Sequence, residues 1–246
     1  MDEAGVEFAK VSYAPASNRL VLREISLKLE AGTTTALLGR SGSGKTTLMR
    51  MVNAMLMPTE GFVSVGGRKT TAWNVLELRR SIGYVIQETG LFPHWTVAKN
   101  ATTALNLAGA YRDMGKVAAR LEEMLTMTGI DMDLARRYPW QLSGGQRQRV
   151  GLARALAGNP DILLMDEPFG ALDPMTRAEM QDMLLALLKD VKKTVLLVTH
   201  DLNEALYLAQ RIVFLEEGAV VADLAAGDVL ASENEHVQRY VAAVRR

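Results

Sequence analysis

Three stretches of the chain are almost wholly apolar, TTTALL before Gly39, ILLM at Ile162 to Met165 and TVLLV at Thr194 to Val198, and each runs straight into polar residues. Short runs without polar alternation are what parallel strands buried on both faces require. Sheets of this kind take crossover helices and bind ligands outside the carboxyl ends of their strands. An α/β fold is therefore expected, with its chemistry in the residues that follow the three runs. VEFAKVSY, Ile25 to Leu29 and FVSV at Phe62 to Val65 read as further strands, with Gly32 and Gly66-Gly67 as turn residues nearby, and predict a small antiparallel layer. Between Gln87 and Gln141 strand signals give way to helical spacing in VAKNATTALNLAG and KVAARLEEMLTMTG, which predicts an inserted helical subdomain. Strand and helix then alternate to about Leu224, before a helical tail.

Composition narrows the functions open to such a fold. Twenty-eight basic and 28 acidic residues cancel, so the chain lacks the overall charge of a nucleic-acid binder. The absence of cysteine removes disulfides, thiolate nucleophiles and thiolate metal sites. The start, MDEAGVEF, is acidic and lacks the basic and apolar regions of a signal peptide, so a mature start is expected there. No apolar run approaches the roughly 18 residues of a membrane span, so any membrane must be crossed by a partner.

Gly39 to Thr46 fits the spacing G-x-x-x-x-G-K-[ST], and it stands between an apolar strand and the helical pattern TTLMRMVNAML. Glycines let backbone N–H groups wrap phosphates, the helix N-terminus adds its positive end, Lys45 reaches the β and γ phosphates, and the Thr46 hydroxyl can ligate Mg²⁺. ILLMDEP supplies a second half: Asp166 at a strand end for the metal shell, and Glu167 for the water beyond it. His200, after the third apolar strand, could hydrogen-bond a γ-phosphate, whereas His94 and His236 have no such context. Gln87 closes the run IGYVIQ, and its amide oxygen suits Mg²⁺ or the attacking water; a solvated glutamine suits the spacing too. Asp173 before Pro174 is the pattern of a helix cap, which can also face a partner. Tyr13 could stack on adenine or lie half-buried like many strand tyrosines. LSGGQ, from Leu142 to Gln146, places Ser143, Gly144 and Gly145 at a helix head as a second phosphate cradle.

Together these motifs resemble the ATP-binding subunits of ABC transporters along essentially the whole chain. GRSGSGKTT, with Gly39, Ser41, Gly42, Ser43, Gly44, Lys45, Thr46 and Thr47, is similar to the Walker A loop of that family, and ILLMDE to its Walker B strand with the catalytic glutamate. Gln87 matches the Q-loop, Ala171-Leu172-Asp173 the D-loop, His200 the switch histidine and Tyr13 the aromatic position that stacks on adenine. The resemblance implies a P-loop NTPase (RecA-like) core with a small antiparallel β layer and an inserted helical subdomain, using ATP and Mg²⁺. Thr46, Gln87 and Asp166 are then expected at the metal, and Glu167, His200, Lys45 and Gln87 at the reaction. The expected organisation of residues 1–246 is a nucleotide-binding core with its β layer at 1–86 and 151–225, a helical subdomain with the signature at 87–150, and a helical tail at 226–246.

The resemblance also answers why one chain carries two cradles. It implies a head-to-tail dimer in which Ser143, Gly144, Gly145 and Gln146 serve the ATP held by the other copy, an arrangement that spacing alone cannot tell from a site within one chain. Transmembrane permease subunits are implied as partners at the cytoplasmic face of the membrane, docking near Gln87 to Asn100, where Leu91, Phe92 and Trp95 line a groove or pack the subdomain. IGYVIQETGLFPHWTV, DEPFGALDPMTR and THDLNEALYLAQRI look most like bacterial importers of glycine betaine, choline or carnitine, which work with a solute-binding protein. Importers of amino acids, metals or polyamines share part of these motifs. The paired regulatory domains of many osmoprotectant ATPases are not expected here, since the sequence stops at Arg246. A DNA-repair ATPase of related fold would need a long coiled coil after Gln87, and Gly109, Gly115, Gly129 and Pro139 break that pattern.

Overall fold

The run VEFAKVSY forms β1 (Val6–Tyr13), burying Val6, Phe8 and Val11 and turning Glu7 and Lys10 to solvent. The computed structural model describes residues 5–15, 19–107, 113–170 and 172–244. Met1 to Ala4 at the expected mature start, the last two residues of VAKNATTALNLAG, Ala171 of the D-loop and the final Arg245 and Arg246 of the tail lie outside the described residues. The chain divides into two compact units, Met1–Arg79 with Lys193–Arg246, and Arg80–Lys192.

After β1 the first unit continues through β2 (Leu22–Leu29), β3 (Thr34–Leu38), α1 (Lys45–Val52), β4 (Glu60–Val65), β5 (Arg68–Lys69) and α2 (Val75–Arg80), whose last residue opens the second unit. β1 pairs antiparallel with β2 on one side and β4 on the other, and β5 closes the order β2-β1-β4-β5 of the expected antiparallel layer. The second unit holds β6 (Ile82–Val85), α3 (Val97–Ala101), α4 (Thr103–Leu107), α5 (Met114–Met127), α6 (Gly144–Leu156), β7 (Ile162–Asp166) and α7 (Pro174–Val191). β6 and β7 run parallel, with Val85 opposite Met165.

The first unit resumes with β8 (Thr194–Thr199), α8 (Leu202–Leu208), β9 (Arg211–Glu216), β10 (Ala219–Ala225), a 3-10 turn at Ala226–Ala231 and α9 (Glu235–Val244). There β3, buried at all five positions, lies parallel to β8 and to β9, and β10 folds back antiparallel on β9. Arg211 fixes this edge: Nε and Nη2 grip Asp223 at 2.6 and 2.5 Å while Nη1 donates to the Lys28 carbonyl of β2. The Asp223 carboxylate pushes the Arg211 guanidinium above its ordinary pKa. Ala36, Leu38, Leu202, Ile212, Phe214, Val237 and Val241 share one core cluster, so the tail helix α9 packs into it, with Tyr240 set edge-on to Phe214 at 5.5 Å.

Several boundaries differ from the sequence reading for visible reasons. The helix expected over TTLMRMVNAML ends at Val52, because Ala54 takes φ 54 and the N–H groups of Met55 and Leu56 both donate back to Arg50 O. VAKNATTALNLAG splits at Thr102: the hydroxyls of Thr102 and Thr103 bond back to Ala98 O and Lys99 O, a competition that breaks helices. The strand expected to reach Gln87 stops at Val85, so Gln87 stands beyond its end. Among the described residues no helix is long and apolar enough to cross a membrane. Phe214→Ala should cost about 3 to 5 kcal/mol, because it opens a cavity between β9 and α9 where the wild-type ring is fully buried. Urea titration measures this as a lower midpoint at unchanged slope, and a loss under about 1 kcal/mol would mean that α9 collapses into the gap.

Candidate nucleotide site

In the first unit β3 runs into Gly39 and α1 begins at Lys45. The loop between them closes around the lysine it leads to, since Lys45 Nζ donates to Gly39 O at 2.7 Å and Arg40 O at 3.0 Å and is 5% exposed. Gly44 has φ 104, and a Cβ there would stand 2.6 Å from Leu22 Cδ2; a Cβ on Gly39 would stand 2.3 Å from Leu215 O. Only glycine fits either place. Ser41 and Gly42 are exposed, Thr46 and Thr47 half-buried. The head of α1 has no side-chain cap and no acidic residue in its first turn, and the buried Ser43 hydroxyl has no protein partner among the described residues. The backbone N–H groups of a helix head, an unpartnered hydroxyl and an ammonium are a donor set that fits a chain of phosphates.

The support beneath this loop is not visible as a motif in the sequence. Gly218, in the β9–β10 turn, donates its N–H to Ser43 O at 3.2 Å and accepts from Arg23 N at 2.8 Å, while Tyr13 O accepts from Val21 N at 2.8 Å. With φ 81 and a missing Cβ that would meet Val21 O at 2.3 Å, Gly218 wedges between the loop and the segment that leads from Tyr13. Half-buried Tyr13 is thereby tied to the phosphate loop. The available signal is a glycine just past the strand-like run RIVFLE. His200 follows Thr199, which is opposite Leu38 as β8 and β3 end together, so His200 and Gly39 leave neighbouring strand ends. The Thr199 hydroxyl donates to Glu204 at 2.6 Å and accepts from Asp201 N at 3.0 Å, and Asp201 caps α8, which fixes both sides of the exposed His200.

In the second unit Asp166 ends β7 at 4% exposure and Glu167 follows with φ 44, a left-handed backbone that costs a non-glycine residue about 1 to 3 kcal/mol and collects at functional sites. Gln87, exposed beyond β6, donates its Nε2 to Glu167 Oε2 at 3.0 Å. That bond turns the Gln87 amide oxygen the other way, where it can serve as an acceptor or metal ligand.

The signature forms the head of α6. Ser143 caps the helix by accepting from Gln146 N at 3.2 Å, and the Gln146 side chain returns the bond to Ser143 N at 2.9 Å. Gly144 is half-exposed, whereas the missing Cβ of Gly145 makes room for Thr176, whose Cγ2 would stand 2.4 Å from it. Packing against Thr176 within the chain thus gives Gly145 a requirement for glycine of its own, beside the ligand approach that the sequence suggests. Asp173 caps α7 by accepting from Thr176 N at 3.1 Å, with Pro174 at the first helical position, so Thr176 joins the signature to the D-loop aspartate. Hydrogen bonds from the Thr176 side chain and backbone hold the Asp173 carboxyl below its usual range.

Farther along the same unit Phe92 and Trp95 pack at 4.2 Å, Lys99 lies over the Trp95 ring, and Asn100 is buried among the carbonyls of Phe92, Trp95 and Thr96. Phe92 keeps 40% of its surface exposed, so these rings cover one another and do not fill a core. The first unit thus gathers Tyr13, the phosphate loop and His200; the second gathers Gln87 with Asp166 and Glu167, and the signature with Asp173.

Comparison with known proteins agrees with this geometry. The family model described as ABC transporter matches residues 22–170. The chain is 44% identical to the glycine betaine uptake system ATP-binding protein YehX of Escherichia coli (strain K12), over 88% of this chain and 69% of the relative. It is 42% identical to the osmoprotectant import ATP-binding protein OsmV of Salmonella typhimurium, over 88% of this chain and 57% of that one. To the choline transport ATP-binding protein OpuBA of Bacillus subtilis it is 40% identical, over 96% of this chain and 61% of OpuBA. The chain thus spans between 57% and 69% of these relatives' length. Among solved structures, the dimeric post-hydrolysis state of the ATP-binding cassette MJ0796 bound to ADP and Pi aligns with a TM-score of 0.78 and 33% identity, covering 90% of this chain and 98% of that one. CbiO1 from Clostridium perfringens, part of the ABC transporter complex cbiONQ, aligns at 0.84 and 27%, covering 96% and 94%. A P-loop, RecA-like α/β core with an antiparallel layer and helical insertion, matched by the family model over most of its length, makes this chain a member of the ABC transporter family.

Proposed function

We propose that this chain is the ATP-hydrolysing subunit of an importer, which closes head to tail with a second copy at the cytoplasmic face of the membrane and drives partner permease subunits. The observation that carries the chemistry is the bond from Gln87 to Glu167 beside buried Asp166, which holds a carboxylate and an amide together at one strand edge. Gly39 to Thr47 bind the phosphates through backbone N–H groups and the Lys45 ammonium, and Tyr13 stacks on the adenine. Mg²⁺, for which Thr46, Gln87 and Asp166 have the right oxygen donors, neutralises phosphate charge when bound. Glu167 accepts the proton of the attacking water, Gln87 orients that carboxylate, and His200 hydrogen-bonds the γ-phosphate. Ser143, Gly144, Gln146 and Asp173 face the nucleotide of the second copy, and Leu91, Phe92 and Trp95 receive the permease.

In this reading the signature completes a phosphate site only when two copies meet, and hydrolysis removes what holds them together. Glu167→Gln keeps the shape and loses the base, so it should bind ATP, cut turnover by about 100-fold or more and accumulate as a dimer. Gel filtration with ATP checks this, and a monomeric elution or wild-type turnover contradicts the assignment of Glu167. Ser143→Arg should leave ATP binding to the single chain intact while blocking that dimer; loss of binding to the monomer would place the signature in the same chain's site.

The solute we infer is a small quaternary amine, in line with relatives whose names specify glycine betaine, osmoprotectant and choline. Its recognition belongs to a solute-binding partner with an aromatic cage, an interaction worth up to about 2 kcal/mol when desolvated. Complex reconstituted in vesicles should take up labelled betaine or choline with ATP, and Lys45→Ala should abolish uptake. Stimulation by an amino acid, metal or polyamine, and by no quaternary amine, would keep the ATPase and reject the solute.

A further inference from the structure

α6 carries the signature at its head, and near its other end Arg154 reaches into the turn that follows Gln87. Arg154 Nη1 donates to Gly90 O at 2.7 Å and Nη2 to Thr89 O at 2.6 Å, a two-pronged grip on adjacent carbonyls. The gripped turn is strained at Thr89, a non-glycine residue at φ 59, and it is closed by Thr89 N to Ile86 O at 3.1 Å and Gly90 N to Glu88 O at 2.6 Å. Gly151, one helical turn before Arg154, has no side chain, and its open face lies against Thr89, at 3.7 Å from the carbonyl for an added Cβ. The far end of α6 is itself anchored, since Arg120 of α5 donates to Leu156 O and Ala157 O at 2.9 and 3.0 Å. Burial lowers the Arg154 pKa, which marks a guanidinium partly withdrawn from water to reach these carbonyls.

The chain of contacts continues from the turn to the reacting end of the unit. Residues 86 to 90 are pinned by Arg154, Gln87 lies inside them, and Gln87 holds Glu167 at 3.0 Å. We propose that Arg154 is a positioning residue for ATP hydrolysis: by fixing the Thr89–Gly90 turn to the signature helix it sets Gln87, and through Gln87 the Glu167 carboxylate. The helix that presents Ser143 to one nucleotide therefore also sets the amide and carboxylate of the other. Gly144–Leu156 spans 13 residues, about 20 Å at 1.5 Å per residue, so the link is one rigid element. A lysine at 154 would keep the charge and reach only one carbonyl at a time.

This inference rests on the ATPase reading above, and a phosphate-release assay on the full chain separates the two: a wild type that does not hydrolyse Mg·ATP rejects the reading itself. With an active wild type, Arg154→Met should lower kcat about tenfold and leave the KM for ATP within about twofold, and Arg154→Lys should recover part of the loss. In a Gln87→Ala background Arg154→Met should change kcat by less than about twofold, because the residue it acts through is gone. Equal losses in both backgrounds, or full kcat in Arg154→Met, overturn the proposal. Hydrogen exchange supplies a readout apart from turnover: Arg154→Met should speed exchange at 86–90 and leave β7 unchanged. Protection at 86–90 equal to wild type also overturns it, and faster exchange throughout the chain, showing general unfolding, does so as well.

Discussion

Everything at the phosphate loop follows from how a buried ammonium finds acceptors. Lys45 cannot sit at 5% exposure without partners, and its own loop supplies them in the carbonyls of Gly39 and Arg40. Bending the backbone so that those carbonyls point inward turns N–H groups outward, and the same curvature that satisfies the lysine creates the anion cradle. The curvature demands glycine at Gly44, where the backbone is left-handed and Leu22 is close, and at Gly39, where Leu215 O leaves no room for a Cβ. The loop is therefore cast against β9 and the start of β2, and Gly218 completes that mould from the β9–β10 turn.

This dependence explains which parts could be read from the sequence. The buried strands were legible because burial on both faces leaves an unbroken apolar signature: β3, β7 and β8 fall within a residue of TTTALL, ILLM and TVLLV. β10 was not legible as a separate strand, since its residues are half-exposed and show no clean alternation. The break between α3 and α4 was hidden because it comes from threonine hydroxyls competing for helix carbonyls, and composition does not reveal which conformer wins. Residue types and spacing named Lys45, Asp166, Glu167, Gln87 and His200. Their support could not be named, because Gly218 to Ser43 and Arg154 to Thr89 are contacts between residues far apart in the chain.

Two of the left-handed non-glycine residues stand where the chemistry is expected. Glu167 and Thr89 adopt positive φ in the second unit, and each is held by a neighbour: Glu167 by Gln87, Thr89 by Arg154. A strained backbone persists only when its surroundings over-determine it, so these bonds are the cause of the geometry as much as its decoration. The outcome is a carboxylate aimed by an amide whose own backbone is clamped.

The signature shows how one set of groups can serve the fold and a ligand at once. As a cap, the Ser143 hydroxyl uses an acceptor lone pair toward Gln146 N, and its O–H remains a donor; a serine has both to give. Gly144 and Gly145 occupy the first helical positions, where backbone N–H groups have no partner within the helix. The Gln146 side chain, bonded back to Ser143 N, keeps the entering chain from swinging across those donors. Gly145 is pressed on Thr176, whose N–H also donates to the capping Asp173, so the helix head and the D-loop aspartate are set by one threonine. Capping alone would be met by many sequences; this cap leaves the Ser143 O–H as a donor at a helix head with no acidic residue in its first turn, where the helix dipole favours an anion.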